Sequence, residues 1–214
     1  MAARVLAFLL GLSVLFNLYL WQRPVTGQGI KVLAVLDGDT VVLDGQVRMR
    51  LRHVDAPELN NCGGQQAKDL LTSLLDGKLV AIKEEILDTY GRPLALLYLG
   101  DTLINQSLLE SGWVRYHHDN STVEETLKAI GKAMKDDEVG IFSQLCLQTS
   151  NPDNPDCNIK GNIDQQGDIK RYYYPGCAQY NYTLVEKDLG EQWFCSEKEA
   201  QAAGWTKAET CKNR

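Results

Sequence analysis

A surplus of positive charge is missing from this chain. Its 22 Lys and Arg stand against 28 Asp and Glu, a formal net charge of −6. Adhesion to nucleic acid by bulk charge rests on many Lys/Arg–phosphate contacts, so it is excluded, and a nucleic-acid partner would have to be met locally. Closely spaced cysteine pairs are missing as well. The six cysteines, at 62, 146, 157, 177, 195 and 211, form no C-x-x-C, the spacing that zinc sites usually show. An even count without such pairs reads as disulfides in an oxidising compartment. Internal repeats and low-complexity tracts are absent, which excludes a repeat architecture.

One long apolar run is present, from Val5 to Trp21, with Arg4 before it and Arg23 after it. Its length falls between a secretory core of about 7–15 residues and a spanning helix of about 20. Tyr19 and Trp21 suit a membrane interface, and Val25-Thr26-Gly27 is a weak cleavage site. Residues 1–26 are expected to be a signal-anchor or a removed signal peptide, with the anchor preferred. Either one carries the remainder out of the cytoplasm. A second boundary is expected at "QTSNPDNPDC", residues 148–157, which has two prolines and no apolar period. It divides a body, 27–148, from a small Cys-rich region, 149–214.

The body opens with "IKVLAVLDGDTVVLDGQVRMRLRHV", three short β-rich runs separated by Asp-Gly turns. "GGQQAKDLLTSLLDG" places Leu70, Leu71, Leu74 and Leu75 at helical spacing and closes on Gly77. "KLVAIKEEILD" and "RPLALLYLGDTLI" return to strand, "NQSLLESGW" predicts a short helix, and "TVEETLKAIGKAMKDDEVGIF" a longer amphipathic one. Strands first and helices later predict an α+β fold: a small Greek-key barrel flanked by helices.

Within "VRMRLRHVDAPEL" the alternation of side chains puts Arg48, Arg50 and Arg52 on one strand face and Met49 and Leu51 on the other. Pro57 cannot donate to a β-ladder, so Asp55 and Glu58 are expected on a rim. Arg48 and Arg52 are expected to be solvated, and His53 structural. "LDGDTV" adds Asp37 and Asp39, and "LDTYGRPLA" adds Tyr90 and Arg92. Each is an ordinary turn when taken alone. In this order, from about Ile30 to Ser143, the three motifs resemble the staphylococcal (micrococcal) nuclease family.

That resemblance implies a five-stranded OB-type barrel and calcium-dependent cleavage of DNA and RNA. It implies Asp39, Asp55 and the backbone carbonyl of Ala56 as Ca²⁺ ligands, where the family more often has Thr at the position of Ala56. It implies Glu58 as the carboxylate on the attacking water and Arg50 and Arg92 on the scissile phosphate. Asp37 would support the ligands, and Tyr90 would touch substrate. The family's later substrate-facing tyrosines do not align with "WVRYHHDN", where His117 and His118 stand. The residue types suit the chemistry. Ca²⁺ takes hard oxygen ligands, and arginine offers planar, permanently charged donors to phosphate oxygens.

Cys62 follows the "APELNN" loop and Cys146 follows the last helix of the body, so a 62–146 link is expected, worth about 3–5 kcal/mol in the chain-entropy model. The tail, with "CNIKGNI", "YYPGC" and "WFCSEKEAQAAGWTKA", resembles a small C-terminal module of some bacterial secreted nucleases. Related modules include metal-binding ones, but here Tyr replaces the usual His of the Y-H-x-P-G stretch. The motif positions favour Cys157–Cys195 and Cys177–Cys211 among three connectivities. Substrate capture, envelope attachment and stabilisation all stay open as roles for the tail. Together these readings describe an exported or envelope-anchored bacterial endonuclease. Its partners would be DNA, RNA and the inner membrane, with no obligate protein partner evident. The alternative is a non-catalytic binding module of the same fold.

Overall fold

A computed structural model describes residues 29–164 and 169–212. The apolar run from Val5 to Trp21 lies outside them, and among the described residues no helix is long and apolar enough to cross a membrane. The elements of the body follow the expected order. Strands β1 (Ile30–Val35), β2 (Thr40–Leu43) and β3 (Val47–Leu51) form an antiparallel meander. Then come β4 (Val54–Asp55), α1 (Gly64–Leu75), β5 (Leu79–Leu87), β6 (Pro93–Leu99), β7 (Thr102–Leu103), α2 (Ile104–Glu110), β8 (Arg115–Tyr116) and α3 (Glu124–Asp136).

Strands β3, β2, β1, β5 and β6 lie edge to edge, and a parallel pairing of β3 with β6 closes them into a five-stranded barrel. β7 extends β6 as a hairpin. Alternation sorts the strand residues as predicted: Met49 and Leu51 are buried, Arg48 is exposed and Arg50 is half-buried. The barrel interior holds Val32, Val41, Leu43, Met49 and Leu96, capped by Leu71 and Leu75 from α1 and Leu108 from α2. Each such side chain contributes about 1.5–3 kcal/mol by leaving water.

The position of Arg52 corrects the sequence expectation. β3 stops at Leu51, and His53 turns the chain with a left-handed φ of 61°, so Arg52 leaves the face it was expected to share with Arg48 and Arg50. It is only 3% exposed. Its Nε donates to Asp119 at 2.6 Å, and its guanidinium donates to the carbonyl oxygens of Glu84, at 2.7 Å, and Asn120. It is a buried structural cation, not a solvated one. His53 is structural as expected. Its ring nitrogens lie 3.2 Å from the His117 carbonyl and 2.7 Å from the Ser121 hydroxyl, and burial holds its pKa below the usual histidine value.

Beyond the body stand β9 (Leu147–Gln148), β10 (Ile159–Asp164), β11 (Ile169–Tyr173), β12 (Val185–Glu186), β13 (Gln192–Phe194), α4 (Glu197–Ala202) and β14 (Thr206–Lys207). β13, β10, β11 and β14 make a four-stranded sheet over a separate small core that includes Tyr172, Tyr174, Phe194 and Trp205. Two tyrosines of the "RYYYPG" run are therefore spent on packing. Residues 149–158 carry no helix or strand, yet the regions on either side of them are joined: β9 pairs with β12, and the Trp193 indole donates to the Gln148 side chain at 2.8 Å. All six cysteines are bonded, as 62–146, 157–195 and 177–211.

Candidate active site

Two strand registers gather the charged residues. The β2–β3 register sets Thr40 opposite Arg50, which brings Asp39 to the base of that arginine. The parallel β3–β6 register sets Arg50 opposite Leu94, two residues beyond Arg92. Barrel closure thus brings together residues 42 positions apart in sequence. Gly38, between Asp37 and Asp39, is pressed against the body: a Cβ there would come within 2.7 Å of Ala56 Cβ and overlap Ala67 of α1. The Asp-Gly-Asp turn can approach so closely only because the residue between the two aspartates is glycine.

Asp39 is 2% exposed. One carboxylate oxygen, Oδ2, accepts from Arg50 at 2.7 Å and from the Ala56 amide at 3.1 Å; the other, Oδ1, accepts from the Thr40 hydroxyl at 2.7 Å. Burial nonetheless dominates and pushes the Asp39 pKa up to about 6, against the opposing pull of Arg50, Thr40 and Ala56 and with help from the Asp37 charge. Asp37 accepts from the Asp39 backbone amide at 3.1 Å. The Arg50 nitrogen that binds Asp39 also lies 3.4 Å from exposed Asp55. One guanidinium therefore stands between two carboxylates.

Arg50, Asp55, Tyr90, Arg92, His117 and His118 line one cleft of about 470 Å³. Arg92 reaches it from the turn before β6. Its Nε donates to Asp88 at 2.6 Å, and its guanidinium lies 5.3 Å from the centre of the Tyr90 ring. The same Asp88 accepts from the backbone amides of Tyr90 and Arg92, each at 2.8 Å, and so fixes the turn. Tyr90 is 83% exposed, an open apolar surface at the mouth of the cleft.

Glu58 is not in this cleft. It lines an adjoining hollow of about 200 Å³ with Asp55, Ala56, Asn61, Arg115 and Asp188, so Asp55 stands on the wall between the two. The loop that carries Glu58 is tied down by the Cys-rich region. Asn61 donates to the Asp188 carbonyl at 3.1 Å, the Cys62 amide to the Lys187 carbonyl at 3.2 Å, and the 62–146 disulfide closes the loop. Arg115, opposite Asp55 in the β4–β8 pair, donates to Asp188 at 2.6 Å and to Glu186 at 2.8 Å. Sequence reasoning missed this ion cluster. Its partners are about 70 residues apart in the chain, and no local pattern marks them.

The donor chemistry fits a hard divalent cation. Asp37, Asp39 and Asp55 outnumber the one guanidinium among them, and every side-chain donor is a carboxylate oxygen. Among the described residues no group of three or more His, Cys, Asp or Glu side chains is arranged to hold a metal ion. Two carboxylates and a carbonyl would leave about three to five of the six to eight positions to water and substrate.

Comparison with known proteins finds relatives of the body. The family described as Staphylococcal nuclease homologue matches residues 48–144. A protein of Escherichia coli O157:H7 described as an uncharacterized endonuclease is 34% identical over 126 residues, covering 55% of this chain and 82% of its own length. An uncharacterized endonuclease of Haemophilus influenzae is 32% identical over 97 residues, 42% of this chain and 54% of that protein. A thermonuclease of Staphylococcus hyicus is 29% identical over 129 residues, 54% of this chain and 76% of that protein. With the barrel, its register and its carboxylate–arginine cleft in place, this chain belongs to the staphylococcal nuclease family.

Proposed function

We propose that the protein is a calcium-dependent endonuclease that hydrolyses phosphodiester bonds of DNA and RNA. The single observation that carries this reading is the shared cleft, lined by Arg50, Asp55 and Arg92, with the strands of the two arginines set side by side by barrel closure. Asp39, Asp55 and the Ala56 carbonyl would hold the cation, which when bound supplies Lewis-acid stabilisation of the phosphate. Arg50 and Arg92 donate to the non-bridging oxygens as negative charge builds on them. Glu58, from the adjoining hollow that it shares with Asp55, positions or activates the attacking water. Tyr90 contacts a substrate sugar or terminal phosphate at the mouth.

We assign residues 27–148 to the nuclease body, 149–214 to a region that braces the Glu58 loop, and 1–26 to an export signal that remains as an anchor or is removed. Three disulfides with no cysteine left over suit a compartment outside the bacterial cytoplasm. The test is cleavage of supercoiled plasmid and of single-stranded RNA by the purified chain with Ca²⁺, with Mg²⁺ and with chelator. Cutting of both substrates with Ca²⁺ and none with chelator is expected. Binding without cutting in every arm would replace this reading with a non-catalytic module.

A further inference from the structure

Asp55 also opens onto a second groove, of about 470 Å³, that the proposed chemistry does not use. Its wall is α3, from which Lys128, Lys132 and Lys135 face the groove, and Arg115 sits at its inner end. The lysines are spaced i, i+4 and i+7, which places them on one helix face. They span about 10 Å of helix, a length over which one strand of a duplex carries about three phosphates. All three are exposed. Lys132 engages Asp136 one turn on; among the described residues no carboxylate lies within ion-pair distance of Lys128 or Lys135.

The row is held at a fixed offset from the cleft. Gly131 is buried against Tyr116, where a Cβ would lie 2.5 Å from Tyr116 Cβ, so α3 rests flush on β8. β8 in turn pairs with β4, with Tyr116 opposite Val54 and Arg115 opposite Asp55. The lysines therefore keep a set distance from Asp55. In a body of 12 Lys and Arg against 18 Asp and Glu over residues 27–148, a cationic row ending at the cleft is where a polyanion can be met.

We infer that this groove binds the phosphate backbone of the substrate strand beyond the scissile bond. The lysines act as sequence-independent point contacts that position the strand. The inference rests on the nuclease reading for its ligand, but its test does not require catalysis.

The test is binding of a fluorescein-labelled single-stranded DNA of about 20 nucleotides, followed by anisotropy from about 50 to 300 mM salt. Both arms carry Glu58→Gln, and one arm adds Lys128→Gln, Lys132→Gln and Lys135→Gln. Exposed positions keep the fold, which a matched Tm checks. Loss of three phosphate contacts lowers the slope of log K against log salt by about 2 and weakens binding about tenfold or more near 0.1 M salt. Kd and slope unchanged within about twofold would overturn the inference. In the chain with Glu58 restored, the triple variant should keep its kcat on a dinucleotide substrate and lose only the gain in kcat/KM seen with longer strands. If no substrate is cut but the binding difference stands, the nuclease reading fails and the groove survives.

Discussion

Arg115 Nε and the Asp188 carboxylate lie 2.6 Å apart, and the Asp188 side chain is 1% exposed. This contact joins the barrel to the Cys-rich region beside the Glu58 hollow. Burial pushes the Asp188 carboxyl above its usual pKa, opposed by Arg115, and its second oxygen has no hydrogen-bond partner among the described residues. Removing the arginine would leave a buried carboxylate uncompensated. Arg115→Ala should cost about 3–5 kcal/mol of stability in urea unfolding. With Asp188→Asn added, the loss should be smaller than the sum of the two single losses by about 1 kcal/mol or more. Additive losses would show that the pair does not couple the two regions.

Arg52 offers a second test of a buried charge. Its guanidinium is held by Asp119 and two carbonyl oxygens at the corner where β3 ends. Arg52→Gln should destabilise by about 3–5 kcal/mol, whereas an exposed strand arginine would cost under about 0.5 kcal/mol. At temperatures where the variant stays folded, its KM should match wild type. A raised KM with unchanged stability would instead make Arg52 a phosphate contact.

Asp39 sets a pH dependence. Its pKa in the folded chain, about 6, lies above the ordinary value of 3.8. The folded state therefore holds this proton more tightly than the unfolded state does. The resulting stability is fully present below about pH 4 and is lost as pH rises through about 6, on the order of 3 kcal/mol. In chelator, Asp39→Asn should remove this loss and raise the Tm above pH 6 relative to wild type. Added Ca²⁺ should stabilise wild type most above pH 6, where the carboxylate is ionised, and should leave Asp39→Asn unmoved. Identical Tm–pH curves for the two proteins would contradict the burial of this carboxylate.

Most of the barrel was legible because its strands are short, alternate cleanly and are punctuated by Asp-Gly turns. The Met49/Leu51 face and the Leu71/Leu75 helix stripe are direct products of periods 2 and 3.6. Asp39, Arg50, Asp55 and Arg92 were singled out by motif order rather than local chemistry, since each sits in a turn or strand that looks ordinary alone; the structure pairs Asp39 with Arg50 and sets Arg50, Asp55 and Arg92 along one cleft. Arg52 was misread because alternation assumes that the strand continues, and the left-handed turn at His53 ends it. Arg115 and Asp188 were invisible because their pairing depends on how β9 and β12 join the two regions. The lysine row was present at helical spacing in "LKAIGKAMK", but only the packing of α3 on β8 shows what it faces.

Convergence of two sequence-distant arginines on one phosphate is tested most directly by kinetics of Arg92→Ala beside Arg50→Ala. Cleavage of a labelled oligonucleotide in Ca²⁺ would give kcat and KM for each. Arg92 is half-exposed, with its side chain at 52%, so its loss should leave Tm nearly unchanged. The predicted result is a fall in kcat of about 10²–10³ for each variant, with KM altered far less. An Arg92→Ala enzyme within about threefold of wild-type kcat would contradict the shared grip on the phosphate, for which a donor at the reacting centre should matter far more.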